Sequence, residues 1–188
     1  MTTTGTFESD GRAVPYAVEG DGPVSLVLLA PTELEGDGMG VVAHYLAEEA
    51  GFQITRIGAG SGADASIAER VADVAAVADH LGITDTWIGG YGAGGTIARH
   101  FAATHHDRVN GLLLLGVEDA SIPLAPVIPV LIIQGADDSA NPPANGEQLQ
   151  STAPERASVT TLDGADHHFP VTHPMETAVI IEEYLDWD

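Results

Sequence analysis

The stretch Gly89–Gly95, GGYGAGG, follows the apolar run Thr86-Trp87-Ile88 and precedes Thr96-Ile97-Ala98-Arg99, which has a helical pattern. A glycine-rich turn from a strand into a helix supports two kinds of chemistry. One is a phosphate cradle: Gly90, Gly92 and Gly95 satisfy G-x-G-x-x-G, and Glu118 stands about twenty residues on, as in dinucleotide-binding turns. The other is a nucleophile turn of the form G-x-S-x-G, in which flanking glycines relieve crowding around a strained central residue. Aligned on Gly90-Tyr91-Gly92-Ala93-Gly94, that pattern is complete except for the serine, whose place is taken by Gly92.

The elements around the turn narrow the choice. Residues 5–19 carry the turn signal Ser9-Asp10-Gly11 between two short β-like runs, which predicts an antiparallel hairpin. Apolar runs without alternation follow: Ser25–Ala30, Phe52–Ile57, Trp87–Tyr91, Gly111–Val117, Val130–Gln134 and Val159–Leu162. Strands buried on both faces read this way. Between them, Ile67, Val71, Val74, Ala78 and Leu81 recur at helical spacing and define one buried face, with Asp79 and His80 off it at the surface. Weaker helical patterns cover Gly40–Ala50, Thr96–His105 and Pro174–Trp187. Strands alternating with helices predict an α/β protein with a mostly parallel sheet covered on both faces, and ligands in such sheets bind beyond the carboxyl ends of the strands. The glycine motif lies in the third parallel run, whereas a dinucleotide fingerprint normally opens its domain.

Over nearly its whole length the chain resembles the α/β-hydrolase family. The resemblance is carried by the segment SIAERVADVAAVADHLGITDTWIGG before the turn, by HHDRVNGLLLLG after it, by Pro129–Asp138 (PVLIIQGADD), and by Gly164-Ala165-Asp166-His167. The order of turn, acid and histidine also agrees with the family. It implies an α/β-hydrolase fold, a twisted sheet preceded by an antiparallel hairpin, over 1–188 as one domain. With so short a connection between Leu115 and Pro129, it implies no cap domain and an open mouth.

The resemblance further implies roles. Asp138 is the acid, His167 the base, and Gly92 sits at the nucleophile position. The Ala93 amide would be one oxyanion donor and Thr32, after Ala30-Pro31, the other, while Tyr91 lines the same place or packs behind it. In the family a hydroxyl attacks a carbonyl, histidine takes its proton, and backbone N–H groups stabilise the oxyanion. Glycine cannot attack. Three explanations fit: His167, oriented by Asp138, activates water in the vacated space; the site binds a small molecule without turnover; or serine was deliberately replaced to trap substrate. Loss of the nucleophile costs about 10⁶ in turnover and leaves roughly 10³–10⁴ over water, so slow hydrolysis is physically allowed.

Other polar residues have plainer readings. Asp137 is read as solvated beside Asp138, and Glu118 and Asp119 stand where some hydrolases place the acid. Glu33, Glu35 and Asp37 are read as solvated residues at the site's rim, and Trp87 as a fluorescent reporter next to the turn. The run Asp166-His167-His168 with His173 invites a metal, but neighbouring histidines point apart, so no metal and no cofactor are expected. With 28 acidic against six basic residues the net charge is −22, far beyond the ~2–8 that solubility needs, which disfavours nucleic acid and anionic membrane as partners. A small-molecule substrate or ligand is the expected partner. No cysteine is present, so there is neither a disulfide framework nor a thiolate nucleophile. The amino terminus shows no basic start leading into an apolar run, and a cytoplasmic protein is expected.

Overall fold

The computed structural model describes residues 1–34, 37–60 and 65–186, so Glu35 and Trp187 lie outside the described residues. It opens with strands β1 (Thr2–Ser9) and β2 (Arg12–Glu19), paired antiparallel. Asp10 and Gly11 between them have φ of 47° and 79°, the geometry of a two-residue hairpin turn whose hand matches strand twist. There follow β3 (Ser25–Leu29), α1 (Gly40–Glu48), β4 (Gln53–Ile57), α2 (Ile67–His80), β5 (Thr86–Tyr91), α3 (Ala93–Thr104) and β6 (Val109–Leu115). The chain ends with β7 (Val130–Gly135), α4 (Pro143–Ser151), β8 (Ala157–Leu162), α5 (Phe169–Thr172) and α6 (Pro174–Leu185). The eight strands form one sheet in the order β1-β2-β4-β3-β5-β6-β7-β8. Every pair from β4 through β8 is parallel, while β1-β2 and β2-β4 are antiparallel.

The run GLLLLG shows why the parallel strands lack alternation. Leu112 and Leu114 of β6 enter a core with Val71, Val77, Ile97 and Phe101 of α2 and α3, whereas Leu113 and Leu115 enter another with Leu46 of α1 and Ile181 of α6. Successive side chains go to opposite faces, and both faces are covered by helices. Residues 116–129, between β6 and β7, contain no helix or strand, so no cap is built there. No described helix is long and apolar enough to cross a membrane.

Helix α2 begins at a capping box: Glu69 N–H donates to Ser66 Oγ (3.2 Å) and Ser66 N–H donates to the Glu69 carboxylate (2.6 Å). These bonds hold the Glu69 carboxyl below its ordinary range. One expectation for α2 is corrected. Ile67, assigned to the buried face, is 43% exposed and lines an open groove between α2 and α3 together with Ala68, Ala72, Ala75 and Ala76. Asp73, on the same helix, is buried and receives a forked pair of bonds from Arg12 of β2, Nη2 to Oδ1 at 2.7 Å and Nε to Oδ2 at 2.9 Å. That ion pair ties the hairpin to the sheet's helical layer. Helix α4 is absent from the sequence reading because its residues, PANGEQLQS, bury only Gly146 and Leu149 and show no apolar stripe.

Candidate active site

Gly92 is the N-cap of α3, with φ 56° and ψ −118°, a conformation disfavoured for side chains with a Cβ. Its amide donates to the Leu115 carbonyl at the end of β6 (2.8 Å), which fixes the turn against the neighbouring strand. The adjacent glycines serve close packing. A Cβ on Gly94 would strike the Leu29 carbonyl, and one on Gly90 would lie 2.7 Å from that same oxygen and 2.5 Å from the Gly94 carbonyl carbon. Helix α3 thus begins hard against β3 and β5, and this contact accounts for the glycine spacing without a phosphate. Glu118 is likewise engaged locally, accepting the Thr96 hydroxyl at 2.8 Å.

On the other side of Gly92 there is room. A Cβ built there meets one atom within 4 Å, the side-chain nitrogen of Asn141, at 3.9 Å. The side of the turn on which a serine would project is open.

Asp138 follows β7, and its side chain is fully buried. Oδ1 accepts the amides of Ala140 (2.9 Å) and Asn141 (2.8 Å), and Oδ2 lies 3.2 Å from His167 Nδ1. The two amides form a turn around the carboxylate and fix its orientation. His167 is partly exposed, and with Nδ1 turned to Asp138 its Nε2 is free to face a substrate or a water. The structure therefore brings together Gly92, Asp138, His167 and the first turn of α3, where the Ala93 amide is one of the N–H groups a helix start leaves unsatisfied. Asp137 is exposed, as expected.

Tyr91 contributes in a way the sequence did not reveal. Its hydroxyl donates to the main-chain carbonyl of His167, its ring lies 5.2 Å from the imidazole, and Phe169 packs edge-on against it at 6.0 Å. Burial first, and then the charges of Asp138 and Asp166, push the phenol up to about 12, so it stays a donor over the working pH range. Asn141 was also missed: its Nδ2 donates to the Gly116 carbonyl (3.2 Å), and it reaches the site because the turn around Asp138 points it back toward α3. The polar sequence Asp-Ser-Ala-Asn was the available signal, since Asp at the head of a turn accepts amides two and three residues on.

Thr32 stands exposed on the loop after β3, its carbonyl accepting the Ala59 amide (2.8 Å), and Pro31 lies 3.6 Å from the Cβ position of Gly94. That loop passes along the start of α3. Asp37 is not solvated: its side chain is 5% exposed, accepts the Met39 amide at 2.9 Å and pairs with Arg56 at 3.3 Å. Burial of an acid here is supported by the one Arg that β4 directs to this loop. Trp87 is also relocated. It is the second residue of β5 whereas Gly92 follows the strand's end, so at about 3.3 Å per residue most of the strand's length separates them. Its ring packs on Gly111 and, at 5.8 Å, edge-on to Tyr184 of α6. Among the described residues no group of three or more His, Asp or Glu is arranged to hold a metal ion.

No family model matches the chain, and no curated protein matches it by sequence. Solved structures do match by shape. An α/β-hydrolase enzyme from a sediment metagenome of the Mar Chica lagoon, Morocco, superimposes with a TM-score of 0.81 over 97% of this chain and 98% of its own, at 17% identity. This chain has the α/β-hydrolase fold. The same α/β-hydrolase architecture matches the enol-lactonase from Burkholderia xenovorans LB400 (TM-score 0.82, 16% identity, 97% of this chain and 100% of that one). It also matches a membrane phospholipase A described as a bacterial virulence factor (TM-score 0.84, 17% identity, 98% and 86%). At such identities the likeness establishes the α/β-hydrolase fold, and chemistry has to be argued from the site.

Proposed function

We propose that this protein is a slow hydrolase of carboxylic esters or lactones in which the Asp138–His167 dyad activates water beside Gly92. The observation that carries the reading is the 3.2 Å contact between His167 Nδ1 and a fully buried Asp138 carboxylate that two amides already orient. With one carboxylate oxygen satisfied by two amides, the other is left to hold His167 Nδ1 and fix one histidine tautomer. Water attacks the carbonyl carbon and gives its proton to His167 Nε2, while the carbonyl π pair moves onto oxygen, which the Ala93 amide and a second donor on the Thr32 loop stabilise. Collapse breaks the bond to the alkoxide, which takes the proton from His167, and acid and alcohol leave. The lactonase and phospholipase among the structural neighbours support carboxylic-ester chemistry as the substrate class. The absence of a cap leaves the mouth open, which suits small substrates without tight selection.

A non-catalytic small-molecule binder on the same fold is the second reading, favoured by the missing side chain at Gly92. The test is the rate of short-chain p-nitrophenyl ester hydrolysis by the chain and by its His167→Ala and Asp138→Asn variants. Loss of turnover in both variants supports the dyad. Ligand-dependent thermal stabilisation without turnover supports the binder.

A further inference from the structure

Gly92 and Gly116 both come close to the Asn141 amide. A Cβ at Gly92 would find Asn141 Nδ2 at 3.9 Å and nothing else within 4 Å, while one at Gly116 would find the same nitrogen at 3.6 Å and Asp138 Oδ2 at 3.8 Å. The Asn141 amide thus borders the open side of Gly92 and, at Gly116, shares a surrounding with the Asp138 oxygen that holds His167. Asn141 is 7% exposed, and a buried primary amide has two N–H groups to satisfy. One goes to the Gly116 carbonyl at 3.2 Å, which also sets the orientation of the amide, because the reverse orientation would bring two carbonyl oxygens together. Among the described residues, the second N–H meets no acceptor.

We propose that Asn141 is a catalytic residue that holds the attacking water in the space where a serine side chain would otherwise stand. The inference rests on the water-activating role of His167 proposed above. The water accepts the spare Asn141 N–H, which fixes its oxygen, and donates one proton toward His167 Nε2, leaving a lone pair for the carbonyl carbon. The other proton stays on the oxygen as it becomes the hydroxyl of the product acid. With a side chain at position 92 the place is filled by the nucleophile itself, and in that enzyme the first chemical step has no need of the amide. The role of Asn141 is therefore tied to glycine at 92.

The experiment is a cycle of four proteins: the chain, Asn141→Leu, Gly92→Ser, and the Gly92→Ser/Asn141→Leu double variant. Each is assayed for kcat and KM on p-nitrophenyl acetate, with His167→Ala in the Gly92 background as the blank. The expected result is a fall of at least about tenfold in kcat, with KM little changed, from Asn141→Leu in the Gly92 chain, and less than about threefold in the serine form; the loss is set below the roughly 10²–10³ that removing an oxyanion-hole donor costs. Equal losses in both backgrounds would make Asn141 a structural residue and overturn the proposal while leaving the dyad standing. Activity in the Gly92 chain that is absent or unaffected by His167→Ala overturns the dyad reading and this one with it. Should Asn141→Leu fail to fold, Asn141→Ser, which withdraws the donor by a shorter side chain, is read in the same cycle.

Discussion

The hydroxyl of Tyr91, the residue immediately before Gly92, donates to the main-chain carbonyl of His167. The last residue of β5 thereby holds the loop that carries the base, and the aromatic contact at 5.2 Å keeps the imidazole beside it. Tyr91→Phe removes the donor and keeps the ring. The expected outcome is a loss of about 1 kcal/mol of stability, the usual net worth of one such bond. In the Gly92→Ser background it should also lower kcat about tenfold through loss of alignment. Urea unfolding and ester hydrolysis on the same preparations check both.

Alkaline pH reports the same hydroxyl. Its ionisation is raised from 10.0 to about 12 in the folded chain, so the folded state holds the phenolic proton where the unfolded state has lost it. The contribution to stability is complete below pH 10 and is lost as pH rises through about 12. Unfolding midpoints recorded from pH 8 upward should fall over that window for the parent, and less steeply for Tyr91→Phe.

Gly92→Ser is expected to trade stability for activity. At φ 56° and ψ −118° a residue with a Cβ is strained, at a cost of roughly 1–3 kcal/mol. The space around the new side chain is open, so no clash adds to that figure. A lower urea midpoint together with faster hydrolysis is the expected pair of results; Gly92→Ala should show the lower midpoint alone.

Trp87 and Gly111 give a test at the opposite end of the sheet. The indole occupies the place a Cβ on Gly111 would need, with ring atoms at 2.6 Å and closer. Gly111→Ala should destabilise the fold by about 1–3 kcal/mol, as overpacking does. It should alter the Trp87 fluorescence and leave ester hydrolysis within about twofold.

How much of this was legible beforehand depended on whether the signal was local. The hairpin turn at Asp10-Gly11 and the double-faced burial of Leu112–Leu115 follow from neighbours in the chain, and the sequence announces them. Asp138 and His167 were found through motif order, and the structure sets them 3.2 Å apart. Arg12 with Asp73 and Arg56 with Asp37 were hidden, because an acid's partner is chosen by topology and nothing near either acid in the chain marks it as buried. Trp87 is near Gly92 in sequence but not in space, because an extended strand converts five residues into the depth of the sheet.

The Arg12–Asp73 pair carries a prediction of its own. Arg12→Ala leaves a buried carboxylate without its fork of donors and should lower the urea midpoint clearly. Replacing both, Arg12→Met with Asp73→Leu, should recover most of the loss, since an apolar pair needs no desolvation of charge.

The most direct test is hydrolysis of p-nitrophenyl acetate by the parent and by Gly92→Ser, each with and without His167→Ala. The expected result is a slow, His167-dependent rate in the parent and a much larger His167-dependent rate once serine is restored. A parent rate unchanged by His167→Ala, or a serine variant no faster than buffer, would contradict a hydrolytic site built on Asp138, His167 and Gly92.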